Sequence, residues 1–369
     1  MKRSIAPYRF LFAGGGTGGH LFPAIAVAEK IRKMLPESDI MFIGTKSRIE
    51  GRIVPKLGFK FSPIWIKGFS RKLNLENLLF PLKLAVSLIQ SLLINLRFKP
   101  MVAIGSGGYV SGPAIWGASV IGAKIILLEQ NSYPGITTRL LQKYASEIHL
   151  SFDDSKKYFK QKNKLNITGN PVRESLVRGN KEEALNYFGL NPSYKTLFVL
   201  GGSLGAGSVN EAIGKFIRNN LQGDINIIWQ TGKNYFELYK YLASKNIIIR
   251  DFIDNMDQAY SACDLLVSRA GATTIAEIIA LGVPAILIPS PNVAENHQFF
   301  NAKSLSDKNA AVLIEDSKLS ASFNEELLKV LRNNKFLDEL SLNAKSLYKF
   351  NAAEIIANNA INYCKYGKS

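Results

Sequence analysis

The chain has 369 residues, of which 47% are hydrophobic and 20% charged, and it carries a formal net charge of +17. This composition excludes an intrinsically disordered chain, and the length exceeds what one hydrophobic core usually serves, so we expect two globular domains. The excess of positive charge predicts an anionic partner, and nucleic acid, an acidic membrane surface and phosphorylated substrates all qualify.

The first half of the chain alternates strand-like and helix-like segments. An apolar run from Arg9 to Gly14 predicts a strand, and Pro23–Leu35 predicts a helix with proline in its first turn. Further strands are expected at Asp39–Ile43, Met101–Ile104, Lys124–Leu128 and Ile148–Leu150. Strands that alternate with helices predict a parallel sheet with right-handed crossovers.

The alternation begins again in the second half, after a passage rich in lysine and asparagine at residues 156–166. We expect strands there at Thr196–Leu200, Ile225–Gln230, Ile247–Asp251, Leu265–Ser268 and Ala285–Ile288. A boundary near Gly169 and Pro171 gives an N-terminal domain of residues 1–168 and a C-terminal domain of residues 169–345. The helical tail, Ala352–Tyr363 within residues 346–369, is expected to pack back on the first domain.

Two glycine-rich turns each follow a predicted strand and open onto a predicted helix: FAGGGTGGH at Phe12–His20 and LGGSLGAGS at Leu200–Ser208. Amides and the positive end of the dipole at a helix N-terminus suit a phosphate, so we expect a cleft with an anion site on each wall. The first turn also matches the dinucleotide fingerprint G-x-G-x-x-G. The following strand, however, ends in Gly44-Thr45-Lys46 without an acidic residue for a ribose, which weakens that interpretation.

His20 ends the first glycine turn. An imidazole beside anion-binding amides is suited to act as a general base near neutral pH. A histidine that only caps or packs would explain the same position, and the residues alone leave both interpretations open.

The segment SRAGATTIAEIIALGVPAILIP, from Ser268 to Pro289, reads as a strand end, a turn, a helix and a strand. Amides and hydroxyls of Ala272–Thr274 suit a diphosphate, and the Glu277 carboxylate suits the vicinal hydroxyls of a ribose. Thr274 and Glu277 also have the spacing of a capping box, which is the alternative. Downstream, the ENHQ of residues 295–298 offers polar groups to a sugar, although a solvated loop or helix cap would explain it equally.

An apolar and basic stretch precedes the third predicted strand. Leu84–Leu96 is too short to cross a bilayer, but with the leucines from Leu73 onward and the cations Lys67, Arg71, Lys72 and Lys83 it could rest on one. An ordinary core helix is the alternative. The N-terminus has no apolar stretch typical of a cleavable signal, and the two cysteines, Cys263 and Cys364, form no disulfide or zinc pattern, so we expect a cytoplasmic protein.

The motifs GGGTGGHLFPA, GGYVSGP, EQN, GNPVR, GGSLGA, FID, RAGATTIAE and ENHQ follow one another in the order seen in the MurG family. The chain resembles this family of UDP-N-acetylglucosamine:N-acetylmuramyl-(pentapeptide) pyrophosphoryl-undecaprenol N-acetylglucosaminyltransferases from about Arg9 to Ala311. The resemblance implies an α/β GT-B fold, in which two Rossmann-like parallel-sheet domains face each other across a cleft. It also implies inverting transfer of N-acetylglucosamine to the muramyl 4-hydroxyl of lipid I, which forms lipid II, at the cytoplasmic face of the plasma membrane.

The resemblance also assigns residues by position. It implies that UDP-N-acetylglucosamine contacts Thr17, Gly18, Gly19, Asn131, Arg173, Ser203, the main chain of Ile253, Ala272, Thr273, Thr274, Glu277, His297 and Gln298. It implies that the acceptor pyrophosphate lies at Gly15, Gly16, Thr17, Gly108 and Tyr109. One departure concerns catalysis, because the usual HEQN is Leu128-Glu129-Gln130-Asn131 here, so His20 or Glu129 is expected to carry the chemistry.

We expect no cofactor and no essential metal, because no D-x-D carboxylate pair occurs in the chain. The expected partners are UDP-N-acetylglucosamine, lipid I and an anionic membrane surface. A UDP-N-acetylglucosamine 2-epimerase of the same fold is the alternative enzyme, since it would use similar turns and the same ribose carboxylate. A nucleic-acid-binding protein would explain the charge, but no reading helix or aromatic strand motif is present, so we expect no nucleic acid partner.

Overall fold

A computed structural model of the chain describes residues 7–68, 79–202, 204–219, 224–293, 296–319, 323–348 and 351–366. The chain divides into two compact units, one of residues 1–173 with 350–369 and one of residues 174–349. The division falls after the expected boundary at 168/169, because Thr168 and Gly169 still donate hydrogen bonds to Leu150 of the first unit.

The first unit contains a sheet of seven parallel strands in the order β3-β2-β1-β4-β5-β6-β7. The strands are β1 (Arg9–Ala13), β2 (Asp39–Gly44), β3 (Lys60–Pro63), β4 (Val102–Gly105), β5 (Lys124–Glu129), β6 (Glu147–Leu150) and β7 (Leu165–Ile167). Both faces are covered. Phe10 and Phe12 belong to the core on one side of the sheet, and Leu11 and Ala13 to the core on the other, as expected for a parallel sheet between helices.

Five helices of the first unit lie between these strands in the sequence. They are α1 (Gly18–Met34), α2 (Ile49–Lys56), α3 (Phe80–Phe98), α4 (Ser111–Val120) and α5 (Ile136–Leu141). Helix α1 begins earlier than the predicted Pro23, because the glycine turn itself forms the first helical turn.

The second unit contains a sheet of six parallel strands in the order β10-β9-β8-β11-β12-β13. The strands are β8 (Lys195–Leu200), β9 (Ile225–Gln230), β10 (Ile247–Arg250), β11 (Leu265–Ser268), β12 (Ala285–Leu287) and β13 (Val312–Leu313). The helices are α6 (Lys181–Phe188), α7 (Gly207–Asn219), α8 (Phe236–Tyr239), α9 (Met256–Ala262), α10 (Ala272–Leu281), α11 (His297–Ser306), α12 (Phe323–Leu331) and α13 (Asn334–Ser346). Two Rossmann-like parallel sheets were predicted, and this architecture is confirmed.

The last helix, α14 (Ala352–Tyr366), belongs to the first unit. Its residues Ile356, Ala357 and Ala360 are buried in the same core as Phe10 and Phe12. Polar contacts also hold it, because Asn359 Nδ2 and Tyr363 OH donate to the two carboxylate oxygens of Glu147 on β6, at 2.8 and 2.9 Å.

The strand order locates the ligand-binding edge of each sheet. In both units the chain order reverses beside the first strand, between β1 and β4 and between β8 and β11. Ligands of open α/β sheets bind at the carboxyl ends of the strands beside such a switch point. The glycine turns at Gly14–Thr17 and Gly201–Ala206 follow β1 and β8, so each lies at the switch point of its own sheet.

Candidate active site

Two loops meet at the switch point of the first sheet, one after β1 and one after β4. Ser111 Oγ donates to the carbonyl oxygens of Ala13 and Gly107 at 2.6 and 2.7 Å, which ties the two loops together. A Cβ atom at Gly108 would lie 2.5 Å from the Gly15 carbonyl oxygen. Only glycine permits this approach, so the GGYVSGP motif packs directly on the first glycine turn.

The glycine turn lies between an acidic and an aromatic side chain. Gly16 N–H donates to Glu50 Oε2 at 3.0 Å, and a Cβ atom at Gly16 would lie 3.1 Å from the Tyr109 ring. This carboxylate comes from helix α2 and is 1% exposed, so it holds the glycine turn and does not replace the ribose-binding acid absent from the end of β2. Gly16 N–H, which was predicted to lie at the acceptor pyrophosphate, is therefore already bonded to Glu50.

His20 has a defined orientation. Its Nδ1 lies 2.9 Å from the main-chain carbonyl oxygen of Ser106 and 3.3 Å from Gln130 Oε1. A carbonyl oxygen can only accept, so Nδ1 carries the proton and Nε2 is the basic nitrogen of the neutral ring. Ser106 Oγ also donates to the His20 carbonyl at 2.6 Å. These contacts fix the orientation of the ring and are compatible with both interpretations of His20.

Glu129 is 2% exposed and its carboxylate organises the loop that follows β5. Oε1 accepts from the Asn131 main-chain and side-chain nitrogens at 3.1 and 3.4 Å, and Oε2 accepts from Gly135 N at 3.0 Å. Burial raises the pKa of Glu129, and these hydrogen bonds, together with one from Thr138, partly oppose the rise. The geometry favours a positioning role for Glu129 rather than direct proton transfer.

Although remote in the sequence, the Arg173 side chain lies near the start of helix α1, over the ring of Phe22. Its guanidinium carbon is 4.8 Å from the centroid of the Phe22 ring, and a Cβ atom at Gly18 would lie 2.9 Å from the same ring. A cation over an aromatic face beside the helix N-terminus adds positive potential to the glycine turn. Arg173 and the donor residues predicted at Thr17–Gly19 and Asn131 therefore belong to the first unit.

The remaining donor residues belong to the second unit. The turn after β8 contains Gly202, with φ +78°, and Gly205, with φ +88°, both in the left-handed region that favours glycine. Ser203, predicted to contact the diphosphate, lies outside the described residues, as does Glu295 of the ENHQ motif.

Helix α10 starts immediately after the turn that follows β11. Gly271 is its N-cap, so Ala272, Thr273 and Thr274 form the first helical turn. The capping-box alternative is wrong, because Thr274 lies inside the helix and not at its cap. The amides of this turn have the position that suits a diphosphate.

A charged network holds this turn in place. Arg269 contacts Asp316 Oδ1 at 2.5 Å and donates to Ser208 Oγ at 2.7 Å and to the carbonyl oxygens of Ile288 and Pro289 at 3.2 and 3.1 Å. Arg269 therefore links the ends of β11 and β12 to the start of α7. The sequence analysis did not find this role, because Asp316 is remote in the sequence.

Glu277 is buried on the second turn of α10, where Tyr260 OH donates to its Oε2 at 2.7 Å. Tyr260 lies on α9 and is fully buried. A bond from a rigid phenol fixes the direction of the carboxylate, as a bidentate contact with ribose hydroxyls requires. Tyr260 is a second residue that the sequence analysis missed, because no motif contains it.

Some of the other residues predicted to contact the donor form hydrogen bonds within the protein. Ile253 N–H donates to Gln230 Oε1 at 2.9 Å. A main-chain contact between Ile253 and uracil would therefore be made by the Ile253 carbonyl group. Gln298 Oε1 accepts from Ser290 N at 2.9 Å, which leaves its NH₂ group as the donor for a sugar. His297 is the first residue of α11. Among the described residues, no group of three or more His, Cys, Asp or Glu could hold a metal ion.

Known protein families match most of this chain. Residues 10–150 match the glycosyltransferase family 28 N-terminal domain, and residues 196–358 match the glycosyltransferase family 28 C-terminal domain. Two similar curated proteins are named UDP-N-acetylglucosamine--N-acetylmuramyl-(pentapeptide) pyrophosphoryl-undecaprenol N-acetylglucosamine transferase. The one from Flavobacterium psychrophilum is 42% identical over 98% of this chain and 99% of its own length. The one from Cytophaga hutchinsonii is 41% identical over 95% and 96%.

Solved structures agree with these sequence matches. MurG from Acinetobacter baumannii has a TM-score of 0.71 and 26% identity, over 96% of this chain and 99% of its own. A structure described as a UDP-N-acetylglucosamine 2-epimerase from Listeria monocytogenes has a TM-score of 0.68 at 12% identity, so that likeness shows the fold alone. The predicted GT-B fold and the predicted family are thus confirmed, and the chain belongs to glycosyltransferase family 28.

Proposed function

We propose that the protein transfers N-acetylglucosamine from UDP-N-acetylglucosamine to the muramyl 4-hydroxyl of lipid I, with inversion, and so forms lipid II for peptidoglycan synthesis. The observation that carries the proposal is the orientation of His20 at the end of the first glycine turn, with Nδ1 donating to the Ser106 carbonyl. The names of the curated relatives support the same donor and acceptor.

His20 is the general base of this reaction. With its proton on Nδ1, the ring presents the Nε2 lone pair to the acceptor hydroxyl and takes up its proton as the oxygen attacks the anomeric carbon. The resulting imidazolium keeps its Nδ1–H bond to Ser106, whose carbonyl dipole stabilises the new positive charge.

Residues of the second unit stabilise the negative charge of the leaving group. Negative charge grows on the UDP diphosphate as the glycosidic bond breaks, and the amides of Ala272–Thr274 at the N-terminus of α10 are suited to receive it. Glu277 orients the ribose. These groups supply the stabilisation that a divalent metal gives in other glycosyltransferases, so we propose that no metal is required.

A transfer assay with radiolabelled UDP-N-acetylglucosamine and a short-chain lipid I analogue tests the proposal. Loss of a general base lowers kcat by about 10²- to 10⁴-fold, so His20→Ala should lose at least two orders of magnitude. His149→Gln is the matched control, because His149 is a buried histidine of the same unit that contacts Glu147 instead. Near-normal turnover of His20→Ala would exclude His20 as the base. Wild-type protein that epimerises the donor without transfer would support the epimerase alternative.

The proposed acceptor carries a long lipid, and helix α3 has the surface to reach it. Its exposed side bears Leu82, Ile89, Leu93 and Leu96, which are 49 to 61% exposed. Its buried side carries Ser87, Ser91 and Asn95 at every fourth position together with Phe98, and Leu84 and Ile94 pack on the core of the unit. The helix is therefore apolar on its exposed side as well as at its core contact, and an exposed apolar side suits contact with a bilayer.

The buried side of α3 packs closely on α4. A Cβ atom at Gly117 would lie 3.2 Å from Leu92 N and 3.0 Å from Asn95 Nδ2. Asn95 Nδ2 also donates to the Ala114 carbonyl at 3.2 Å. Small residues at such a contact let two helices approach closely.

This packing bears on how α3 meets a membrane. The helix has 19 residues and is long and apolar enough to cross a membrane, whereas Leu84–Leu96 alone was predicted to be too short. Its observed length of about 28 Å would suffice. Crossing the bilayer would require α3 to leave α4, however, so we propose that it lies on the surface and that the protein is peripheral.

Cations also lie beside exposed apolar side chains of the first unit. Lys83 Nζ lies 5.7 Å from the centroid of the half-exposed Trp65 ring, and α5 exposes Ile136 and Leu140 beside Arg139, Lys143 and Lys160. Each cation near an anionic leaflet contributes about 1 kcal/mol to binding. The predicted positions from Leu73 to Leu78, with Arg71 and Lys72, lie outside the described residues. We propose attachment to the cytoplasmic face of the plasma membrane.

Vesicle co-sedimentation tests this attachment. Replacement of Leu82, Ile89 and Leu93 by serine should weaken binding to vesicles that contain phosphatidylglycerol. Leu238→Ser with Leu342→Ser is the control, because both leucines are exposed on the second unit. Equal binding of the α3 variant and the control would contradict the proposed surface.

A further inference from the structure

We propose that Glu50 is a positioning residue for the acceptor site, holding the first glycine turn so that the start of α1 faces the acceptor pyrophosphate. This inference rests on the proposed function. Glu50 lies in the first turn of α2 and is 1% exposed, yet it belongs to none of the motifs of the sequence analysis.

The Glu50 carboxylate joins the loops after two neighbouring strands. Oε1 accepts from Thr45 N at 3.1 Å and from Thr45 Oγ1 at 2.7 Å, and Oε2 accepts from Gly16 N at 3.0 Å. Thr45 follows β2 and Gly16 follows β1, and these strands pair in parallel. All three partners are donors, which is the set that an ionised carboxylate matches.

Two glycines are needed to admit this carboxylate. A Cβ atom at Gly15 would lie 2.5 Å from the Glu50 carboxyl carbon, and one at Gly44 would lie 2.6 Å from Glu50 Cγ. Neither distance is tolerated between non-bonded atoms. Gly15 therefore accommodates an internal carboxylate, in addition to any approach of a ligand phosphate.

The contact with Gly16 sets the direction of the turn. Glu50 holds Gly16 from one side while the Tyr109 ring lies against the other. The next residue, Thr17, is the N-cap of helix α1, and its amide is one of those predicted to face the pyrophosphate. A carboxylate this close to an anion site would repel a phosphate if it were exposed, but burial and three donors direct its charge inward.

Two substitutions distinguish a role of Glu50 in positioning the acceptor site from a role in the stability of the fold alone. In Glu50→Gln the amide oxygen can keep both Thr45 bonds, while the NH₂ group faces Gly16 N–H and that bond is lost. Thr45→Val is the matched control, because it deletes a buried bond to the same carboxylate and keeps the Gly16 contact. Each variant is characterised by thermal unfolding, by the KM of donor and acceptor, and by calorimetric binding of the short-chain lipid I analogue without donor.

We expect Glu50→Gln to weaken acceptor binding and raise the acceptor KM on the order of tenfold with an unchanged donor KM, since one charge-assisted bond is lost. Thr45→Val should lower the melting temperature comparably and leave the acceptor KM unchanged. Equal acceptor KM values in the two variants, or parallel losses for donor and acceptor in Glu50→Gln, would overturn the inference. Wild-type protein that binds the analogue without glycosylating it would instead contradict the proposed reaction, and the binding comparison would still decide the role of Glu50.

Discussion

The bond between Tyr260 and Glu277 allows a sharp test of the donor site. Tyr260→Phe removes one oxygen atom from a fully buried side chain. The ring itself should stay, because it packs edge-on against Phe198 with centroids 5.5 Å apart. The designed loss is the 2.7 Å hydrogen bond from the phenol to the carboxylate.

The magnitude follows from the chemistry of that bond. A hydrogen bond to a charged group contributes about 1.5–3 kcal/mol, which corresponds to roughly 10- to 150-fold in an equilibrium constant. Part of this loss falls equally on the free and the donor-bound protein and appears as a lower melting temperature. We therefore expect the KM for UDP-N-acetylglucosamine to rise by about tenfold, at the lower end of that range.

Steady-state kinetics with varied donor, at saturating lipid I analogue, measure this effect. Tyr239→Phe is the control, because it deletes a phenol from the core of the same unit beside Trp229 rather than beside Glu277. A Tyr260→Phe protein with a lower melting temperature but an unchanged donor KM would refute the assignment of Glu277 to the ribose.

Three further predictions concern pH, metal and membrane. The hydrogen bond with His149 is the main cause that lowers the pKa of Glu147 below its ordinary value of 4.5. A carboxylate with a lowered pKa stabilises the fold above its unfolded pKa and loses that contribution as the pH falls. Glu147→Gln should therefore lower the melting temperature at pH 7, and its difference from wild type should shrink below pH 4.5. Transfer activity should persist in EDTA. If EDTA abolished the activity and added Mg²⁺ restored it, the proposed metal-independent site would be contradicted. Gly117→Ala should crowd α3, lower the melting temperature and reduce vesicle binding, whereas Gly112→Ala, where a Cβ would lie 3.8 Å from Thr137 Cγ2, should leave both unchanged.

The central strands were predictable from the sequence because they are apolar on both faces. β1, β8 and their neighbours are buried between helix layers, so their residues form continuous apolar runs. The edge strands β3, β7 and β13 were not predicted. They are two to four residues long and partly exposed, so their patterns resemble loops.

The turns of the candidate site were predictable for a similar reason, since a glycine-rich turn between a strand and a helix has a local signature. The groups that hold those turns were not. Glu50, Tyr260 and Asp316 each act on a turn that another part of the chain supplies. Local spacing carries no information about such pairs, and only the folded sheet brings them together.

The return of helix α14 has a consequence for biosynthesis. The first unit is completed by residues that follow the entire second unit in the chain, whereas the second unit is continuous. A nascent chain on the ribosome can therefore close the second unit while the groove that α14 fills beside α1 is still open. Apolar residues such as Ile25 and Ile356 share one core only after translation has passed both sheets, so the half of the protein that is synthesised first stays incomplete the longest.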